Sequence, residues 1–206
     1  MTRPSRTMAD TRRRRASTGR MMDEIMELAR SLPLTRQVLA DSLETATPAQ
    51  MEFMLSWMNE ELASRERSKR ARLLKQAGLP GVKELDGYDW TPVRFPVDYG
   101  REALESLDFV ANSEDVVLFG PPGTGKTHLA VALGRLACMR AIPVRFFTAT
   151  GLLMRLRRAK REDRLDTELR QIAKARLLII DEFGYMPIDR TVRHGRLTGF
   201  RGRLLP

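Results

Sequence analysis

The chain has 206 residues, 42% hydrophobic and 30% charged, enough for one sizeable core with an accessory region beside it. Lys and Arg outnumber Asp and Glu by 36 to 26, a net charge of +10, which favours a polyanionic partner and makes nucleic acid the first candidate. Cys138 is the single cysteine, which excludes an internal disulfide; no Cys/His spacing suits structural zinc, and no apolar run approaches the ~20 residues that span a bilayer. A reducing, cytoplasmic setting with no membrane partner is expected.

Residues 1–20 hold Arg12, Arg13, Arg14 and Arg15 among Ser, Thr and Pro, and read as a disordered basic arm. Met8, Met21 and Met22 each offer a later start to the chain. Met22, Ile25, Met26 and Ala29 then recur at helical spacing in a short amphipathic helix interrupted by Pro33.

A stronger helix follows, with Thr47 as N-cap, Pro48 at the first helical position and Gln50 three residues after the cap. Met51, Met54, Leu55, Met58 and Leu62 form its apolar stripe, and Gly78 supplies the stop. Its second half carries Arg65, Arg67, Lys69, Arg70, Arg72 and Lys75 against the acid Glu66, a candidate phosphate-contacting surface. Residues 21–78 thus read as a helical accessory region with a DNA contact. The Gly- and Pro-rich segment 78–96 marks the boundary to an α/β module over 79–190.

In that module a helix is expected over 101–110, and Val116 to Phe119 reads as a buried parallel strand. Helical and strand patterns then alternate over 126–140, 144–148, 151–160, 165–175 and 177–180, which predicts a parallel sheet flanked by helices.

Between the first strand and the helix after it stand Gly120, Pro121, Pro122, Gly123, Thr124, Gly125, Lys126 and Thr127, a complete G-x-x-x-x-G-K-[ST] motif in strand-to-helix context. Its glycines let successive backbone N–H groups point into a phosphate-sized hollow at a helix N-terminus. Lys126 is then assigned to the β- and γ-phosphates of ATP, and the Thr127 hydroxyl to Mg²⁺. The run Leu177, Leu178, Ile179, Ile180 delivers Asp181 and Glu182 at a strand's C-terminal end, where parallel sheets bind ligands. Asp181 is expected to hold Mg²⁺ through water, and Glu182 to polarise the attacking water.

His128 adjoins the loop, with a solvated or capping role expected, and is grouped with the nucleotide-site residues. Cys138 is expected to be a reduced thiol in or near the core. Tyr88 and Trp90 are candidates to border the adenine or simply to be packed. A third basic cluster, Arg155, Arg157, Arg158, Lys160, Arg161 and Arg164, is interleaved with Glu162, Asp163 and Asp166, and salt bridges at helical spacing account for much of it.

Four passages give a family resemblance: 61–80 (ELASRERSKRARLLKQAGLP), 107–110 (LDFV), 118–137 (LFGPPGTGKTHLAVALGRLA) and 177–190 (LLIIDEFGYMPIDR). Over residues 21–190 the chain resembles the IstB-like ATPases, helper subunits of bacterial insertion-sequence transposons, which are similar to DnaC-type helicase loaders within the AAA+ group. The resemblance implies a P-loop α/β fold of AAA+ type and oligomers that assemble with ATP on duplex DNA, deform it and recruit a transposase. Lys126, Thr127, Asp181 and Glu182 fall on its motif positions.

Residues 191–206 (TVRHGRLTGFRGRLLP) depart from the family pattern, with no helical or strand period. The sheet is therefore expected to be incomplete at the C-terminus, lacking a sensor strand and an arginine that reaches a neighbouring subunit, with impaired hydrolysis as in a truncated copy. Two other readings stand beside the transposition helper: a helicase loader in DNA replication, and a DNA-binding remnant without ATPase activity.

Overall fold

The computed structural model describes residues 8–183 and 202–205. They form two compact units, 1–68 and 69–206.

The first unit is helical. Helix α1 (Met8–Leu28) leads through a 3-10 turn into α2 (Arg36–Thr45), and the long helix α3 (Pro48–Ala77) follows. Ile25, Ala29, Leu39, Leu43, Met51 and Met58 make the core. Met54, Leu55 and Leu62 pack against it, so the apolar stripe read from the sequence is the buried one. The N-terminus of α3 is the reciprocal cap expected there: the Thr47 N–H donates to Gln50 Oε1 at 2.8 Å and the Gln50 N–H to Thr47 Oγ1 at 3.4 Å. Its C-terminus meets Gly78 at φ +68°, a left-handed stop that suits glycine.

One expectation fails here and one element goes unread in the sequence. Helix α1 begins at Met8, inside the stretch read as a disordered arm, because arginine and alanine are good helix formers and each added residue extends a nucleus already packed through Ile25. Residues 1–7 of that arm lie outside the described residues. Helix α2, which buries Leu39 and Leu43 one turn apart, was passed over in the sequence.

The second unit starts within α3, between Ser68 and Lys69, rather than at the Gly/Pro-rich segment. Leu73 and Ala77 belong to the core of the α/β module, which draws the last turns of the helix into it. After the irregular segment come α4 (Arg101–Ser106) and α5 (Asp108–Ala111), where a single helix was expected. Leu107 breaks it with φ +64°, while its side chain stays buried with Leu104, Phe109 and Val110.

Strand β1 (Asp115–Leu118), helix α6 (Lys126–Met139), strand β2 (Val144–Thr148), helices α7 (Ala149–Arg161) and α8 (Leu165–Ile172), and strand β3 (Leu177–Asp181) follow in the alternation the sequence predicts. Phe119, expected inside β1, lies just past it and is exposed. Strands β2 and β3 pair in parallel from Val144 opposite Leu177 to Thr148 opposite Asp181.

Helix α6 lies close against this pair. A Cβ on Gly134 would sit 2.7 Å from Ile179 Cδ1 and 3.1 Å from Leu79 Cδ2, so the lack of a side chain there sets the approach distance. Leu129, Leu133, Ala137 and Cys138 bury the rest of that face.

One short strand arises in the tail, where the sequence offers no strand period. Residues Gly202–Leu205 form strand β4, parallel to β1, with Asp115 opposite Gly202 and Leu118 opposite Leu205. Backbone pairing with β1 satisfies hydrogen-bonding groups that an unstructured tail would leave to water, and it does so with only Leu204 and Leu205 as apolar residues. The described strands thus form two parallel pairs, β1 with β4 and β2 with β3, and β1 and β3 are not hydrogen-bonded to each other. The tail residues Arg193, Arg196 and Arg201 and the sequence GYMPIDR after Phe183 lie outside the described residues.

Candidate nucleotide site

The site is assembled where β1 gives way to α6 and where β3 ends. Gly123 and Gly125 take φ values of +81° and +86°, a region in which side chains other than glycine's are strained. Gly125 is the residue immediately before α6, so the loop turns its backbone under the positive end of that helix. Pro121, Pro122, Gly123 and Thr124 are exposed along the rim.

The Lys126 ammonium lies over the loop, donating to the carbonyl oxygens of Gly120 at 2.9 Å and Pro121 at 2.6 Å. Thr124 Oγ1 donates to the Pro121 carbonyl at 2.9 Å, which tightens the same turn.

The decisive link is long in sequence and short in space. The Thr127 hydroxyl donates to Asp181 Oδ2 at 2.9 Å, with Oδ1 at 3.2 Å, although 54 residues separate them. One oxygen comes from the first turn of α6 and the others from the last residue of β3, so two motifs predicted separately meet at one point. A hydroxyl and a carboxylate are hard oxygen donors of the kind that suits a divalent cation. Among the described residues no group of three or more His, Cys, Asp or Glu could form an all-protein metal cage.

Glu182 follows with φ +59°, a left-handed conformation costing a non-glycine residue about 1–2 kcal/mol, and its N–H donates to Asp181 Oδ1 at 3.0 Å. The turn leaves the Glu182 side chain exposed beside Asp181. Backbone strain at this position has no signature in the sequence.

His128 is half-buried. Its Nε2 lies 3.1 Å from the Glu84 carbonyl oxygen, which can only accept, so this nitrogen carries the proton. Its ring lies 5.3 Å from that of Tyr88, and Glu84 also pairs with Arg135, about two turns further along the same side of α6. His128 is thereby turned to the 84–88 segment.

Tyr88 and Trp90 divide. The phenol of Tyr88 would stand 3.1 Å from a Cβ on Gly125, and the residue borders a cavity of about 80 Å³ beside the loop with Val93, Phe119, Gly120 and Lys126. Burial raises the Tyr88 pKa, with Asp89 adding to it, so the phenol is neutral there. Trp90 faces elsewhere: it meets Tyr88 edge to face at 5.0 Å, stacks with Phe95, and takes the Arg101 guanidinium over its ring at 4.6 Å.

The basic half of α3 carries more acid than Glu66 alone. Arg65 pairs with Glu61 at 2.6 Å and Arg67 with Glu60 at 2.7 Å, using carboxylates from one and two turns earlier on the same helix. Lys69, Arg70, Arg72 and Lys75 continue the cluster in the second unit.

A glycine-rich loop under a helix N-terminus, a lysine laid across it and a hydroxyl joined to an acidic strand end define a P-loop NTPase. Within that class the chain belongs to the IstB-like ATP binding proteins, a family that matches residues 25–198. It is 42% identical over 142 residues to a Pseudomonas aeruginosa protein designated ATP-binding in insertion sequence IS21, covering 68% of this chain and 52% of that one. Similarity extends to counterparts in IS5376 of Geobacillus stearothermophilus (35% identical; 76% of this chain, 62% of that protein) and IS232 of Bacillus thuringiensis subsp. berliner (36%; 68% and 56%). The matched stretch therefore spans a little over half the length of these relatives.

Proposed function

We propose that this chain binds Mg²⁺–ATP in the 120–127 loop and serves as an ATP-dependent helper of insertion-sequence transposition, engaging duplex DNA and assisting a transposase. The observation that supports this most directly is the Thr127 to Asp181 hydrogen bond, a hydroxyl and a carboxylate brought together beside the loop, both of the kind that suits a divalent cation. Bound Mg²⁺ would neutralise charge on the β- and γ-phosphates. Lys126 supplies the ammonium for the same phosphates, and the backbone N–H groups from Gly123 to Thr127 supply hydrogen bonds at the helix N-terminus. Glu182 follows the end of β3 with its side chain exposed, where it would polarise an attacking water.

The partners follow from charge and kinship. The 65–75 cluster of α3 offers Lys69, Arg72 and Lys75 to a phosphate backbone, and the relatives are named for insertion sequences. Homo-oligomers on DNA in the cytoplasm complete the reading.

Isothermal titration calorimetry with ATP, with and without Mg²⁺, tests the nucleotide assignment. Wild type should bind only weakly without the cation, and Lys126→Ala should lose affinity in its presence. Equal affinity for the two proteins would overturn the site. Replacing Arg65, Lys69 and Arg72 by Glu should weaken duplex binding and flatten its salt dependence, since each phosphate contact contributes roughly 0.9 to the logarithmic slope. An unchanged slope would remove α3 from the DNA surface.

A further inference from the structure

Between α3 and α4 the chain has no helix or strand, yet residues 84–88 are tied to α6 from both ends. Glu84 accepts from His128 Nε2–H through its carbonyl oxygen at 3.1 Å and pairs with Arg135 through its carboxylate at 2.9 Å. One residue of the segment is thus fixed to the first turn of α6 and again about two turns further on. A turn follows, closed by the Tyr88 N–H donating to the Leu85 carbonyl at 3.2 Å and permitted by Gly87 at φ +70°. It delivers the Tyr88 ring to His128 on one side and, edge to face at 5.0 Å, to Trp90 on the other. Trp90 is itself held by Phe95 and by the Arg101 guanidinium over its face.

This framework closes on the outer side of Gly125. A Cβ there would stand 3.1 Å from the Tyr88 hydroxyl oxygen, 3.4 Å from Cε2 and 3.7 Å from Cζ, so the phenol fills the space that a side chain would take. Glycine has more backbone freedom to lose than any other residue, and a loop holding Gly120, Gly123 and Gly125 must lose it before its N–H groups converge on a phosphate. From within, Thr124 Oγ1 and the Lys126 ammonium bond to the Pro121 carbonyl. From without, among the described residues, a Cβ on Gly123 would meet nothing within 4 Å and one on Gly120 only Thr124 of the loop itself. Outside support therefore falls on Gly125, and Tyr88 supplies it.

We infer that residues 84–88 brace the nucleotide loop, with Tyr88 the positioning residue that holds Gly125 and with it the neighbouring Lys126, and with Glu84, His128 and Arg135 as its anchors. The part the loop plays in binding rests on the function proposed above; the brace rests on the contacts of Tyr88. Freedom removed before binding is not lost on binding, so a braced loop holds nucleotide more tightly than an unbraced one of the same sequence. The gain belongs mainly to the dissociation rate, where related complexes differ most. Tyr88 acts through its ring. Burial, with Asp89 adding to it, raises the phenol pKa, so the residue brings no charge to the phosphates.

Stopped-flow release of a fluorescent nucleotide, mant-ATP with Mg²⁺, from the full chain into excess ATP tests the brace. Tyr88→Ala should release it about tenfold faster than wild type, the scale on which contacts behind a binding group act, and Tyr88→Phe, which keeps the ring, within about twofold. Arg135→Gln should speed release by about twofold to fivefold, in keeping with a partly exposed ion pair, and should add nothing to Tyr88→Ala, because it acts through the ring. A general loss of stability gives a different pattern, visible in urea denaturation and additive between the two sites. Should Tyr88→Ala unfold, by circular dichroism, Arg135→Gln alone must release faster than wild type or the brace falls. Wild-type release from folded Tyr88→Ala, or full additivity of the two substitutions, overturns the brace and leaves the nucleotide site standing. Tyr88→Phe as fast as Tyr88→Ala overturns it too, by assigning the effect to the hydroxyl. Wild type that takes up no mant-ATP overturns both the brace and the nucleotide site.

Discussion

Single residues in this chain do different work from their neighbours in sequence. Thr127 and Asp181 are joined by one hydrogen bond, while Glu182, next along the chain, is turned outward by a left-handed backbone. Binding and turnover should therefore separate under substitution. Glu182→Gln is expected to leave Mg²⁺–ATP affinity within about twofold of wild type while removing the slow turnover on DNA expected of this chain, since a positioned acid–base group acts on the reaction rather than on binding. Calorimetry beside a phosphate-release assay checks this, and a parallel loss of affinity would place Glu182 in binding instead. Cys138 makes a second residue-level case. It is free, fully buried, and its thiol pKa is raised by that burial, so little thiolate forms in the folded chain. Iodoacetamide at pH 8 should label native protein far more slowly than protein in urea. The sign of the linkage follows: a raised folded pKa leaves its contribution intact below the unfolded value of about 9.0 and loses it as pH climbs through the folded one.

At the scale of elements, close approach is what the sheet demands of α6. A Cβ at Gly134 meets Ile179 at 2.7 Å, so although replacing glycine in a helix ordinarily stabilises it by about 1 kcal/mol, a branched side chain here must displace β3 or rotate Ile179. Gly134→Val is expected to lower stability by about 1–3 kcal/mol in urea denaturation, with the Asp181 end of β3 disturbed enough to weaken ATP binding. Wild-type stability would show that α6 and the strands yield freely. The elements carrying the site were legible in the sequence because each has a strong local cause: a complete glycine-rich motif before α6, four apolar residues leading to Asp181, and Thr47, Pro48 and Gln50 at the head of α3. What escaped notice depends on remote contacts. Helix α2 is short and binds through Leu39 and Leu43 alone; the break at Leu107 and the turn at Glu182 are backbone choices that tertiary packing imposes; and β4 gains its form only by pairing with a strand far upstream. The neutralisation of Arg155 by Glu168, thirteen residues away, is of the same kind.

For the whole molecule, the division into two compact units makes stability and nucleotide chemistry separable. The core of the first unit is built by Ile25, Leu43, Met51 and Met58, and that of the second by Leu104, Leu129, Leu133 and Cys138 among others, with no residue in both. Leu43→Ala should destabilise the first unit by about 2–5 kcal/mol, the usual cost of emptying a buried leucine site. ATP affinity at a temperature well below unfolding should stay within about twofold of wild type. A large loss of affinity would mean that the P-loop is supported from residues 1–68.

The pairing of β1 with β4 has a consequence for how the protein is made. Leu118 leaves the ribosome long before Leu205, its partner. At about 5–20 residues per second, the strand that leads into the nucleotide loop waits several seconds with that edge open while β2 and β3, close together in sequence, can already meet. An open strand edge next to an exposed Phe119 is an invitation to pair with another nascent chain, so the newborn polypeptide passes through a window in which crowded polysomes favour clumping. Slower growth temperatures or chaperones that shield strand edges should raise the yield of soluble protein, and the gain should come from molecules rescued during synthesis rather than from any change in the finished fold.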